Sequence, residues 1–132
     1  MCGIVGLFLK DKSLEPRLGE MLTDMLITMS DRGPDSAGIA VYGTDRDGQA
    51  KLTLQAAEPS QFEGLAEEIG KEIGTAISQR VIDTHAVLEL PQAKMSEARQ
   101  AVKRLRPDIR VMSAGDIIEI YKEVGLPGDV AK

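Results

Sequence analysis

Between residues 51 and 114 the apolar pattern changes period four times. Lys51–Ala56 alternates as a strand does, and Phe62, Leu65, Ala66, Ile69 and Ile73 then fall on one helical stripe. Residues 80–90 return to a strand-like run that Pro91 ends. Met95, Ala98, Val102 and Leu105 form a second helical stripe, ended by Pro107, and Ile109, Val111 and Ala114 make a further strand. A strand repeats its side-chain direction every 2 residues and a helix every 3.6, so a segment that changes period has changed element. Strand, helix, strand, helix, strand predicts a small α/β lobe of its own over 51–114.

The flanks of that lobe read differently. Residues 2–9, Cys-Gly-Ile-Val-Gly-Leu-Phe-Leu, form a short apolar run with two glycines, expected as a buried strand that another backbone approaches closely. Leu14, Leu18, Met21, Leu22, Met25, Leu26 and Met29 recur at helical spacing, with Ser13 as the expected cap and Pro16 in the first turn. This methionine-rich stripe is expected in the core. The helix should stop before Arg32-Gly33-Pro34-Asp35, a turn signal. Ala37–Tyr42 is a second apolar run, Gly43–Gly48 a polar loop in which Asp45-Arg46-Asp47 is a solvated turn, and 117–124 a half-buried strand that Gly125 breaks.

Composition excludes several classes of function. With 42% hydrophobic residues in 132, the chain has the makings of one ordinary domain. Only 2 Tyr and 2 Phe are present, so the core must be built from Leu, Ile, Val, Ala and Met. Sixteen basic against 21 acidic residues leave a net charge of −5, which argues against a nucleic-acid footprint and against an anionic membrane surface. No apolar run approaches the ~20 residues of a membrane span, and the start lacks the basic region of a secretory signal. One Cys and one His make neither an internal disulfide nor a conventional zinc site. No metal or cofactor is expected, and the expected location is cytoplasmic. Gly3 and Gly6 are not followed by the Gly-Lys-Ser/Thr of a phosphate loop. His85, the sole histidine, is expected to be an ordinary strand residue.

What remains is a thiol at residue two. Removal of Met1 would leave Cys2 with a nucleophilic sulfur and a free α-amine on the same residue. Their ordinary pKa values are about 8.5 and about 7.7–8.0, so the amine can take the thiol proton without help from a second residue. Such a residue suits acyl transfer on an amide or ester.

Cys2-Gly3-Ile4-Val5-Gly6, followed after one helix by Arg32-Gly33-Pro34-Asp35-Ser36-Ala37-Gly38-Ile39-Ala40, resembles the class II glutamine amidotransferases. These are N-terminal-nucleophile hydrolases that release ammonia from glutamine. The wording Arg-Gly-Pro-Asp-Ser-Ala-Gly and the later Ile118-Glu-Ile-Tyr-Lys-Glu-Val-Gly125 are most similar to subunits related to the glutaminase domain of glutamate synthase. The resemblance implies an α+β fold, part of an αββα sandwich of two sheets between helices, with 51–114 as an insert. It implies a γ-glutamyl thioester on Cys2, with L-glutamine as substrate and ammonia-accepting synthase subunits as partners. It places Arg32 and Gly33 beside the nucleophile. A guanidinium there can fix the terminal residue and favour thiolate, and a glycine lets the backbone approach. Asp31 stands where many members have His.

The resemblance also implies groups not found in these 132 residues. The family's arginine for the glutamine α-carboxylate, its Asn-Gly oxyanion donor and its aspartate for the α-amine are expected beyond the strand at 117–124. The expectation is therefore of the N-terminal portion of an amidotransferase domain. Its rivals are an incomplete module with only an assembly or binding role, and an unrelated α/β protein whose Cys2 is structural.

Overall fold

In the computed structural model residues 3–32 and 34–131 are described. They divide into two units, one made of Met1–Ile39 with Lys122–Lys132 and the other of Ala40–Tyr121.

The second unit is built on a four-stranded sheet. Its strands are β2 (Gln49–Gln55), β3 (Ser78–Ile82), β4 (His85–Pro91) and β5 (Arg110–Gly115), in the order β3-β4-β2-β5. Every pairing is antiparallel. The segment expected as one strand over 80–90 is instead a hairpin, turned at Asp83, whose φ of 48° is left-handed. Aspartate tolerates that conformation better than most residues, so no glycine was needed to mark the turn. The hairpin makes neighbouring strands antiparallel, where the alternation of strands and helices had suggested an α/β lobe. None of the sheet's strands comes from 36–43.

Period-two patterning sorts the two faces of this sheet. Leu52 and Leu54 stand opposite Leu88 and Ala86, and Ala50 opposite Leu90. The helices α2 (Leu65–Ile73) and α3 (Met95–Leu105) cover that face. Leu52, Leu54, Leu88 and Leu90 meet Phe62, Leu65 and Ile69 from the α2 side and Ala98, Ala101 and Val102 from α3, all fully buried. Each large side chain so buried contributes about 1.5–3 kcal/mol. The small residues on α3 let that helix lie close to the sheet.

Helix α2 begins after Gly64 and ends at Gly74, whose φ of 71° is the left-handed close that glycine makes without strain. Gly70, in its last turn, has a different reason. A Cβ there would lie 2.7 Å from the carbonyl oxygen of Thr75, whose N–H in turn donates to Gly70 O at 3.0 Å. Mid-helix Gly→Ala usually stabilises by about 0.4–1 kcal/mol. Here Gly70→Ala should destabilise by about 1–3 kcal/mol through backbone displacement, measured by urea unfolding.

The first unit carries α1 (Leu18–Thr28), entered through a 3-10 turn over Lys12–Arg17. Asp11, not Ser13, is the cap: its carboxylate accepts the Ser13 N–H at 2.9 Å. Strand β1 (Ser36–Tyr42) pairs with β6 (Ile118–Val124) in a two-stranded sheet, and the division between the units falls inside both strands. A short helix α4 (Pro127–Val130) packs on α1, where Gly128 faces Ile27.

Two expectations for this unit are corrected. Residues 3–9 form no strand, and Ile4 and Phe8 are 94% and 85% exposed. A strand needs a partner ladder, and none of the described strands pairs with this run. The methionine stripe of α1 is not core either, since no residue of α1 is fully buried. Met21, Leu22, Met25, Leu26 and Met29 are half-buried.

Candidate functional site

Of the three residues assigned to the site from the sequence, Cys2 and Gly33 lie outside the described residues. Arg32 is described. Helix α1 stops four residues before it, where the hydroxyls of Thr28 and Ser30 bond back to the carbonyls of Met25 and Ile27, both at 2.7 Å. Such back-bonding competes with helix propagation, and Pro34 has no N–H with which to resume it. The chain instead closes a 3-10 turn over Ser30–Arg32, with the Arg32 N–H donating to Met29 O at 2.9 Å.

That turn brings Arg32 to Gly3, the residue after Cys2. A Cβ on Gly3 would run into Met29 Cε and would lie 3.4 Å from Arg32 Cβ and 3.6 Å from Arg32 Cδ. Gly3 is thus a close-approach glycine: its missing side chain makes room for the end of Met29, and the Arg32 stem lies beside it at ordinary contact distance. Just beyond the turn, the carbonyl of Asp35 accepts the N–H of Gly125 at 3.0 Å. Gly125 has a φ of 145°, open to glycine alone. The motif Arg-Gly-Pro-Asp is therefore tied to the end of β6, where the sequence also changes to Gly-Leu-Pro-Gly.

The second unit holds a polar cluster that the sequence did not reveal. Arg80, Val87, Thr53 and Ser113 stand in one row across the sheet face opposite the helices. Residues of β6 lie against this face, where the Ile120 N–H donates to Ser113 Oγ at 3.2 Å. Glu119, only 6% exposed, receives Lys51 Nζ at 2.5 Å, Arg80 Nη2 at 2.9 Å and the hydroxyl of Tyr121. Burial by itself would raise the Glu119 carboxyl. The hydrogen bonds from Lys51 and Tyr121 and the charges of Lys51 and Arg80 outweigh it and hold Glu119 below the ordinary carboxylate range. Burial, then the hydrogen bond and charge of Glu119, push Tyr121 up to about 12. With three donors committed to it, Glu119 is a brace rather than a free base.

His85 is buried at the start of β4, with its ring 5.4 Å from that of Tyr121 in an edge contact and Nδ1 3.2 Å from Thr84 Oγ1. It sits in the unit that does not contain Arg32. Among the described residues no three His, Cys, Asp or Glu side chains are grouped to hold a metal ion. None of the described helices is long and apolar enough to cross a membrane.

The chain is 54% identical over 131 residues, 98% of its length, to glutamine amidotransferase-like protein GlxB of Rhizobium meliloti (strain 1021), and covers 43% of that protein. Over 43 residues, 33% of its length, it is 51% identical to a putative glutamine amidotransferase of Methanothermobacter thermautotrophicus and covers 14% of it. The chain thus spans less than half of the curated relatives it matches. No family model matches it, and neither does any solved structure. The two relatives support a glutamine amidotransferase family for this chain.

Proposed function

We propose that these residues are the nucleophile-bearing part of a glutamine amidotransferase of the N-terminal-cysteine class, completed as an αββα sandwich by further polypeptide. The observation that carries this reading is the seat of Gly3 on Arg32, which puts a guanidinium-bearing side chain against the residue next to Cys2. The relatives' names supply the substrate, L-glutamine.

In this reading the chemistry begins with a proton. The Cys2 α-amine takes it from the thiol, and the thiolate attacks the side-chain amide carbon of glutamine. The resulting tetrahedral oxyanion collapses, the C–N bond breaks, and the ammonium returns its proton to the departing nitrogen, which leaves as ammonia. Water then attacks the γ-glutamyl thioester, with the amine again as base, and glutamate and free Cys2 result. Arg32 holds the terminal residue in place and favours the thiolate. The ammonia passes to a synthase partner in the cytoplasm. The insert over 51–114, which holds most of β2 to β5, takes no part in the bond changes.

Everything in this scheme requires a free amine on Cys2. Mass measurement of the intact protein from its native host should find Met1 removed. Retention of Met1 would leave the thiol without its base and would exclude the mechanism.

A further inference from the structure

Helix α3 and Arg106, which closes it, carry basic side chains toward two neighbours, and only one set is neutralised. Toward α2, Arg104 pairs with Glu72, and Arg106 with Glu68 at 2.8 Å. Toward β5, Arg99 and Lys103 are exposed one turn apart and have no ion-pair partner among the described residues. They rim a groove of about 460 Å³ that Val102, Ile109 and Val111 help to line. No acidic side chain lines it, although the chain has 21 acidic residues against 16 basic ones. The other wall is β5, an edge strand that pairs only with β2 among the described strands. Arg110 apart, its sequence Arg-Val-Met-Ser-Ala-Gly has neither the charges nor the proline that blunt an exposed edge, and the irregularity of its ladder is a register shift opposite Thr53 and Leu54.

We infer that this groove takes an extended acidic segment of a partner polypeptide, added to β5 as a fifth strand of the sheet. Main-chain hydrogen bonds to the free edge would give affinity, and side chains on alternate positions would give specificity. The spacings agree. Arg99 and Lys103 are separated along the helix by about 6 Å, and alternate residues of a strand running beside it by about 6.6–6.8 Å. Successive carboxylates on one side of the segment can therefore meet both cations, their methylene stems lying over Val102, Ile109 and Val111. At the sheet's other edge, β3, Arg80 is already engaged with Glu119, so the acidic partner is directed to β5.

The test is an anisotropy titration of the 132-residue protein with a fluorescein-labelled peptide of alternating valine and glutamate. Saturable binding is expected, weakened about tenfold or more when lysine replaces glutamate in the peptide and likewise in the double variant R99E/K103E. Both positions are exposed, and circular dichroism checks that the variant is folded. Methylating alternate amide nitrogens of the peptide, which touches no residue of the protein, should weaken binding by at least as much. Absence of saturable binding, or binding indifferent to either change, would overturn the proposal. So would a concentration-dependent dimer in sedimentation that R99E/K103E abolishes, because the occupant would then be a second copy. None of these readouts depends on Cys2, so the inference and the amidotransferase reading fail separately.

Discussion

Cys2→Ala should abolish glutamine-dependent ammonia release by the native-host protein, a loss on the order of 10³-fold or more, with glutamate release falling in step. It is the chain's only cysteine, so no other thiol of this chain can take its place. Arg32→Ala should leave the nucleophile in place but less ionised and less well held, and the expected loss is smaller, about tenfold, with the alkylation rate of Cys2 near neutral pH falling in parallel. An Arg32→Ala protein whose thiol reacts as fast as before would separate Arg32 from the nucleophile, whatever its activity. Gly3, beside Arg32, makes a related demand: a side chain there must displace the end of Met29.

Glu119→Ala should cost about 3 kcal/mol of stability by denaturant unfolding at neutral pH. The substitution strands Lys51, whose side chain is only 15% exposed, and breaking a buried pair by removing one partner commonly costs about 3–5 kcal/mol. The lower end applies because Arg80 is half in solvent, with its side chain 56% exposed. Replacing both partners by apolar residues, Lys51→Met with Glu119→Leu, should recover most of the loss, since the penalty belongs to the unpaired charge rather than to the missing attraction. The same cluster sets two pH limits. Glu119 titrates lower folded than unfolded, so its contribution is present above the unfolded carboxylate range and is lost as pH falls through the folded value. Tyr121 titrates higher folded than unfolded, so its contribution is full below pH of about 10 and is lost as the pH rises toward its folded value of about 12. Glu119→Gln should weaken both limits together, and the tyrosinate absorbance of Tyr121 should then rise at lower pH.

The parts of the fold that were legible in the sequence are those where burial alone dictates the period. The stripe of α3 and the alternation of Leu52 and Leu54 are such cases, because one face of each meets a continuous core. Pairing was less legible. The run 80–90 has strand character throughout, and the Asp83 turn that divides it contains no glycine or proline. An apolar run such as 3–9 says that something should cover it without saying what, and here the described residues leave Ile4 and Phe8 bare. The motif placed Arg32 beside Cys2, which lies outside the described residues; the approach of Arg32 to Gly3 is a relation in space that no periodicity carries. The Glu119 cluster had no motif. Its members come from β2, β3 and β6, with Lys51 and Glu119 separated by 68 positions, and each alone reads as a polar residue on a half-exposed strand.

One covalent modification tests the Cys2 assignment most directly. A diazo-ketone analogue of glutamine carries its reactive carbon close to where the amide carbon of the substrate would lie. After protonation that carbon is attacked by the Cys2 thiolate, dinitrogen leaves, and a stable thioether remains. Peptide mass mapping of the native-host protein treated with this reagent should find the adduct on an N-terminal Cys2, formed once per chain and suppressed by excess L-glutamine. An unmodified Cys2, an adduct on another residue, or labelling that glutamine does not suppress would contradict the assignment of this chain's nucleophile.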